Sequence, residues 1–190
     1  MMRYDAVVVG AGPNGLAAAI RLAQEGWRVQ LVEGRESVGG GLGTAELTLP
    51  GFRHDICSAI HPLGMASPFF RTLPLDNYGL RWLQSPLPLA HPLDDGAAVT
   101  LCRSLEETAA SLGQDGRAWR LLFGPLVENW EKLAPMVLGP LPLPRSPIAL
   151  AQMGVRALWP AQGVAEWAFQ EQRARALFAG MAAHSMLALN

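Results

Sequence analysis

A glycine-rich stretch near the N-terminus, GAGPNG at residues 10–15, constrains the fold of this chain more than any other feature. It follows a β-branched run at residues 6–9, which is typical of a central strand buried in a parallel sheet. Apolar residues then recur at helical spacing from Leu16 to Ala23. A second strand is predicted at residues 29–32 and ends at Glu33. This order of strand, turn, helix and strand predicts an α/β fold with a parallel sheet.

Each glycine of the turn has a physical reason. Gly10 lets the chain turn sharply out of the strand, Gly12 lets backbone N–H groups approach a pyrophosphate, and Gly15 lets the helix pack closely on the sheet. Pro13 and Asn14 fall in the first helical turn, where unpaired N–H groups and the helix dipole favour a phosphate. The turn therefore predicts a Rossmann-like dinucleotide site.

The acid at the end of the second strand narrows the ligand. Glu33 lies 18 positions after Gly15, where a carboxylate accepts hydrogen bonds from ribose hydroxyls and repels a 2′-phosphate. This argues against NADP. The motif alone does not separate FAD from NAD, and a glycine turn packed against its own sheet is the structural alternative.

A second glycine cluster follows the acid, and a plain NAD dehydrogenase has no need of one. The cluster resembles the FAD-binding region of the amine oxidase and phytoene desaturase superfamily, whose members carry an acid, a basic residue and a Gly-Gly doublet in this order. The continuation TAELTLPGFRHDICSAIHPL at residues 44–63 is most similar to that of phytoene dehydrogenase-related oxidoreductases. The resemblance implies FAD as the cofactor. The cofactor-site residues that it adds are Gly34, Arg35, Gly39, Gly40, Gly41 and Thr44.

Within this resemblance, Gly39 and Gly40 match the doublet that lies against the diphosphate, and Thr44 matches its trailing hydroxyl. Arg35 matches a residue near the adenosine. Many members have arginine directly after the doublet, whereas this chain has Gly41, so affinity for the diphosphate must come from backbone donors. A flexible linker is the alternative for this cluster, although linkers tend to be Ser-rich and polar.

The segment after the cluster carries the one candidate for proton transfer. Residues 45–52 alternate around Pro50-Gly51 and predict a hairpin. The resemblance implies that residues 58–61 approach the flavin ring, which makes His61 the nearest ionisable candidate for catalysis. A structural histidine preceding Pro62 is the alternative. A flavin accepts hydride without a strong protein base, so the reaction does not require His61.

We predict a domain boundary after residue 66, with residues 1–66 in the FAD/NAD(P)-binding Rossmann-like domain and residues 67–190 in an α+β substrate domain. Short strands are predicted in the second domain at Leu80 to Leu83, Leu89 to Leu93 and Ala97 to Leu101. Such an apolar, Trp-bearing region suits a domain for an apolar small-molecule substrate, although an ordinary core has the same composition.

Three helices are predicted after these strands. A capping box at Ser104 and Glu107 predicts a helix through Leu112. An amphipathic helix is predicted over 115–133, kinked or split at Pro125, and another over 164–183.

The composition excludes several partners. Fifteen Lys and Arg balance sixteen Asp and Glu without a basic stripe, so nucleic acid is not an expected partner. Cys57 and Cys102 form neither a disulfide framework nor a metal-binding pair, which favours a reducing, cytoplasmic location and no metal site.

The proline-rich residues 135–147 interrupt an apolar run and exclude a spanning helix there. They form either a stiff connector, the border of a substrate entrance or a peripheral membrane contact.

A doubly wound domain needs at least a third parallel strand, and none is recognisable after Glu33. We therefore expect an incomplete cofactor domain in a truncated chain, completed by a missing C-terminal part or a partner chain.

Three functions remain open. The first is a phytoene dehydrogenase-like FAD-dependent oxidoreductase that takes hydride from a C–H bond of an apolar, isoprenoid-like substrate. The second is a non-catalytic binding protein with the fold of the GDP-dissociation inhibitors, and the third, disfavoured by the doublet, is an NAD-dependent reductase. A fragment that is inactive on its own is a further alternative.

Overall fold

The computed structural model describes residues 3–139 and 147–190, which divide into two compact units, Met1–Tyr78 and Gly79–Asn190. The boundary between the two units follows Tyr78, whereas we predicted a domain boundary after residue 66. In chain order, the first unit contains β1 (Ala6–Val9), α1 (Pro13–Gln24), β2 (Val29–Val32), β3 (Thr44–Glu46), β4 (Arg53–Asp55) and α2 (Pro62–Ala66). The second unit contains β5 (Leu89–Pro92), β6 (Ala98–Leu101), α3 (Leu105–Ser111), α4 (Gly116–Glu128), α5 (Trp130–Val137), α6 (Pro147–Ala157), α7 (Ala161–Ala168) and α8 (Gln172–Ala183).

The first unit confirms the predicted Rossmann-like α/β arrangement. β1 and β2 pair in parallel, with Ala6 opposite Val29, and α1 connects them. The helix ends before Gly26, whose positive φ of 84° suits only glycine, and the Gly26 N–H bonds the Ala23 carbonyl at 3.0 Å. The predicted hairpin also forms, because β3 and β4 pair antiparallel. Within the described ranges, the parallel sheet consists of these two strands.

The second unit confirms an α+β arrangement of an antiparallel hairpin and helices. β5 and β6 pair with Leu89 opposite Leu101, and α8 packs on both. The strand predicted at residues 80–83 is wrong, because no strand of the described residues pairs with this segment and Leu83 remains 92% exposed. One buried hydrophobic cluster of the unit contains Val99, Ala109, Leu112, Trp119, Phe169, Ala174 and Leu177.

The helix predicted over 115–133 is two helices, and the break is not at Pro125. Pro125 lies inside α4, and the helix is interrupted at Asn129, between α4 and α5. The backbone N–H and the side-chain Nδ2 of Asn129 both donate to the Pro125 carbonyl, at 3.2 and 2.9 Å. An asparagine side chain that competes in this way for a helical carbonyl favours termination of the helix.

The helix predicted over 164–183 is also two helices, α7 and α8, and a residue far along the chain explains the break. Asp115 is fully buried at the start of α4. Its carboxylate accepts the N–H groups of Gln170 and Glu171 at 2.9 and 2.8 Å. Those two amides therefore bond to Asp115 instead of continuing α7.

From the sequence, we excluded a membrane-spanning helix at the proline-rich residues 135–147 and left a peripheral membrane contact open there. No helix of the described residues has both the length and the apolar character needed to cross a bilayer. Most of the proline-rich stretch, residues 140–146, lies outside the described residues, as do the predictions made for it.

Candidate dinucleotide-binding site

Two of the glycines in the first turn are required by the chain itself. Gly10 has φ +96°, a conformation that side chains rarely adopt, and its N–H bonds the Val32 carbonyl at 2.7 Å. A Cβ on Gly15 would collide with the backbone carbonyl of Gly10. The absence of a side chain at Gly15 therefore lets α1 lie close to the end of β1, as predicted.

Gly12 differs from these two glycines. Its φ is −76°, an ordinary value for any residue, and a Cβ there would meet only the Gly40 Cα at 3.8 Å. This is a normal van der Waals distance, so neither strain nor packing within the chain requires glycine at this position. The free surface at Gly12 lies at the N-terminus of α1, where Pro13 and Asn14 begin the helix. It leaves backbone donors open to an anionic ligand.

The second glycine cluster is held directly against the first turn. The Gly39 N–H donates to the Ala11 carbonyl at 2.8 Å. Gly39 and Gly40 have φ values of +112° and +58°, and a Cβ on Gly40 would lie 3.0 Å from the Gly12 Cα. Glycine at both positions lets the two turns meet backbone to backbone. The structure thus brings together the two motifs that the sequence placed 24 residues apart, at Gly15 and Gly39.

Glu33 connects the same turn to the end of β2. Its Oε2 accepts the Ala11 N–H at 2.6 Å, and its Oε1 accepts the Arg35 N–H at 3.0 Å. These bonds, that from Ala11 first, hold the pKa of the Glu33 carboxyl below its ordinary value of 4.5, with smaller contributions from Gly34 and the Arg35 charge. Glu33 is therefore an anion at neutral pH, and each oxygen keeps a lone pair for a ribose hydroxyl.

Ala11 is the residue of this site that sequence reasoning missed. It is fully buried, its N–H is held by Glu33 and its carbonyl by Gly39. Only backbone groups take part in these contacts, so no side-chain signal marks the residue. Its position between two glycines of the motif was the one available indication.

The remaining predicted cofactor residues lie around this centre with different partners. Gly34 and Arg35 follow β2 and are exposed. The Gly41 carbonyl accepts the Ser58 N–H at 3.0 Å, which attaches the next segment to the doublet. The Thr44 hydroxyl donates to Asp55 at 3.0 Å across the β3–β4 hairpin. Thr44 therefore stabilises the hairpin in this structure, and its role towards a cofactor stays a prediction.

His61 lies at the N-terminus of α2, after the segment attached at Ser58. The His61 Nδ1 is 3.3 Å from the Ser58 hydroxyl oxygen, and the ring is partly buried. This contact fixes the orientation of the imidazole. It fits both a structural histidine and a proton-transfer group, so the catalytic role stays a prediction.

Comparisons with known proteins agree with this geometry. A family model described as an NAD(P)-binding Rossmann-like domain matches residues 8–73, which include both glycine turns, Glu33 and His61. Among solved structures, the chain is similar to a putrescine oxidase redesigned in cofactor binding, with a TM-score of 0.51 and 23% identity. That likeness covers 95% of this chain and 37% of the other, and it shows the fold alone.

Curated relatives are longer than this chain. It is 34% identical over 108 residues to one of the subunits of limonene dehydrogenase from Castellaniella defragrans. It is 31% identical over 157 residues to pyridine nucleotide-disulfide oxidoreductase domain-containing protein 2 of Rattus norvegicus. These alignments cover 57% and 79% of this chain but only 19% and 26% of the relatives. The chain therefore spans about a fifth to a quarter of the length of these relatives.

Proposed function

We propose that this chain, which carries the Rossmann-like domain of an FAD-dependent oxidoreductase of the amine-oxidase-like superfamily, serves in the oxidation of an apolar substrate. The cofactor is FAD, as the glycine doublet predicts. Similarity to proteins named limonene dehydrogenase and dihydrolipoyl dehydrogenase supports this cofactor and the oxidoreductase class. The activity and the substrate of the whole protein belong to the proposal.

The observation that carries the proposal is the union of the two glycine turns. Gly12 and Gly40 meet with only backbone atoms between them, and the Gly39–Ala11 hydrogen bond holds the turns together. An extended dinucleotide diphosphate needs such a surface without side chains, next to a helix N-terminus. The Gly12 position, where the chain itself has no need of glycine, is best explained by the space that this ligand takes.

Different residues of the site would bind different parts of FAD. The first N–H groups of α1 would donate to the diphosphate, and the Glu33 carboxylate would accept hydrogen bonds from the ribose hydroxyls. Arg35 lies beside Glu33 and takes the adenosine side. Bound FAD supplies hydride acceptance, which none of the amino-acid side chains provides. In the proposed reaction, one substrate carbon loses hydride and its neighbour loses a proton, for which His61 is the candidate acceptor.

We propose an isoprenoid-like substrate, and one relative and the resemblance to phytoene dehydrogenase-related enzymes support this proposal. Limonene, in the name of the relative that is 34% identical, is a monoterpene hydrocarbon without a charged or basic group. Putrescine, in the name of the structural neighbour, is a diamine. We propose oxidation of the hydrocarbon class, and the two compounds provide a direct contrast.

The test is anaerobic reduction of the FAD-loaded protein. With limonene, we expect loss of the oxidised-flavin absorbance, and with putrescine no change. Reduction by putrescine alone would contradict the proposed substrate class. FAD binding without reduction by limonene or longer uncharged isoprenoids would favour the non-catalytic binding protein, which the lack of a cation at Gly41 keeps open.

We also propose that further strands complete the parallel sheet, supplied by a continuation of the chain or by a partner chain. On β1, Val7 and Val9 are 58% and 83% exposed, although valine at such positions of a parallel sheet is normally covered.

We further propose a reducing, cytoplasmic location, which the two free cysteines, Cys57 and Cys102, support.

A further inference from the structure

The Ser58 hydroxyl lies between two polar groups at nearly equal distances. Its Oγ is 3.4 Å from the Ile60 carbonyl oxygen and 3.3 Å from His61 Nδ1. Contacts of this length are common in catalytic sites without bound substrate. Because a carbonyl oxygen only accepts hydrogen bonds, both contacts form at once only if the Ser58 hydroxyl donates its proton to Ile60. The Ser58 oxygen then accepts from Nδ1–H of His61, which specifies one of the two neutral tautomers of that imidazole.

The backbone on both sides holds these groups in place. The Ser58 N–H donates to the Gly41 carbonyl at 3.0 Å, next to the glycine doublet. At the other end, the Met65 N–H donates to the His61 carbonyl at 3.1 Å, which is the first hydrogen bond of α2. Ser58 therefore connects the two parts of the site, because its N–H bonds the second glycine cluster and its hydroxyl contacts the imidazole.

The tautomer decides which nitrogen of His61 can take up a proton. With the proton on Nδ1, the free lone pair is on Nε2. Within residues 3–139 and 147–190, no hydrogen bond to His61 Nε2 is formed. A proton lost by a substrate carbon would bond to Nε2, and the imidazolium that results would keep its Nδ1–H bond to Ser58. The Ser58 hydroxyl would then need no rotation during the transfer.

We infer that Ser58 is a positioning residue, which holds neutral His61 as the Nδ1–H tautomer and leaves Nε2 as the proton acceptor. The inference rests on the proposed function, because that function supplies the substrate proton. Ser58 acts only through the imidazole, since its own hydroxyl proton is donated to the Ile60 carbonyl.

The first test is the ¹⁵N NMR spectrum of the imidazoles in protein labelled at histidine, at a pH of about 8, where a histidine of ordinary pKa is neutral. His61→Gln identifies the His61 signals among those of the four histidines. We expect a protonated Nδ1 in the unchanged protein, a proton shared between the two nitrogens in Ser58→Ala, and a return to Nδ1 in Ser58→Thr. A proton on Nε2 in the unchanged protein overturns the inference, whether or not the variants fold.

The matched control is Thr48→Ala, which removes a hydroxyl 2.8 Å from another imidazole, at His54 Nε2. It should change the His54 signals and leave those of His61 as they are. If Thr48→Ala and Ser58→Ala change the His61 signals alike, the tautomer does not depend on the Ser58 contact and the inference fails.

The second test is the rate of anaerobic flavin reduction by limonene in the FAD-loaded protein. Ser58→Ala keeps the backbone bond to Gly41, so FAD affinity should be unchanged, while reduction should slow by at least about tenfold and recover in Ser58→Thr. In the His61→Gln protein, the further change Ser58→Ala should have no effect, because the serine acts through the imidazole. Equal slowing with and without the imidazole would overturn the inference.

The tautomer measurement needs neither FAD nor substrate, so it separates this inference from the proposed function. Flavin reduction together with an Nε2–H tautomer removes the inference and leaves the proposed function. An Nδ1–H tautomer without flavin reduction removes the proposed function, and with it the proton-transfer role, and confirms that Ser58 sets the tautomer of His61.

Discussion

At the scale of single residues, Gly12 and Gly15 belong to one motif but are needed for different reasons. Gly15→Ala puts a methyl group onto the Gly10 carbonyl, whereas Gly12→Ala meets only the Gly40 Cα at 3.8 Å. We therefore predict that Gly15→Ala lowers the free energy of unfolding by about 1–3 kcal/mol, the usual cost of overpacking. Gly12→Ala should leave it within about 0.5 kcal/mol, as for changes that create no clash. Urea unfolding followed by circular dichroism measures both, and equal destabilisation of the two variants would contradict the assigned roles.

Glu33 gives a prediction for ligand affinity and its pH dependence. Glu33→Gln keeps the shape of the side chain but removes the charge, so FAD should bind roughly tenfold more weakly. In the folded protein the Glu33 pKa lies below its ordinary value of 4.5. The contribution of the carboxylate to the free energy of unfolding is therefore fully present above pH 4.5. It is lost as the pH falls through the lower, folded-state pKa.

Titration calorimetry with FAD at several pH values measures the Glu33 effect. The unchanged protein should lose affinity on acidification below 4.5, and Glu33→Gln should show less of that loss. Parallel pH profiles for the two proteins would show that another group is responsible.

At the scale of elements, the first βαβ unit was predictable because its determinants are local. The β-branched run, the helical spacing and the glycine turn all lie within residues 6–33, and each agrees with the observed element. The candidate site was predictable to the same degree for its glycines and Glu33. The hydrogen bonds that Ala11 makes were not, because backbone groups carry no residue-type signal.

The helices of the second unit were predicted less well, because distant contacts decide where they break. Residues 164–183 were predicted as one helix, yet the helix is interrupted where Asp115 accepts two N–H groups from 55 and 56 residues along the chain. The spacing of apolar residues within a short segment contains no information about a buried carboxylate elsewhere in the chain. The segment at residues 80–83 shows the opposite case, a strand-like pattern without a strand beside it.

This contact gives a prediction for α8. Asp115→Ala leaves the Gln170 and Glu171 amides without their acceptor, and should cost about 1–3 kcal/mol of unfolding free energy. The neighbouring Gln114→Ala is the control, because it removes only an exposed side-chain bond to Glu171 and should change stability by less than about 0.5 kcal/mol. Thermal or urea unfolding distinguishes them, and an equal, small effect of both would show that Asp115 does not hold the start of α8.

At the scale of the whole molecule, the proposed FAD site lies in the compact unit Met1–Tyr78, and Gly79–Asn190 forms a separate unit. Hydrogen exchange with and without FAD tests this division. We expect added protection for the amides of residues 10–15 and 39–41, which form the joined glycine turns. The amides of α3 to α8 should keep their exchange rates. Protection confined to the second unit would place the nucleotide elsewhere.

The FAD affinity of the purified protein and of Gly12→Val is the decisive measurement for the cofactor site, by titration calorimetry and by the absorbance of co-purified flavin. We predict that the unchanged protein binds FAD in preference to NAD. We also predict that Gly12→Val, shown to be folded by circular dichroism, loses FAD affinity by about a hundredfold because its side chain blocks the diphosphate from two charged hydrogen bonds. A folded Gly12→Val protein that binds FAD as tightly as the unchanged protein would contradict the site, and so would an unchanged protein that binds no FAD.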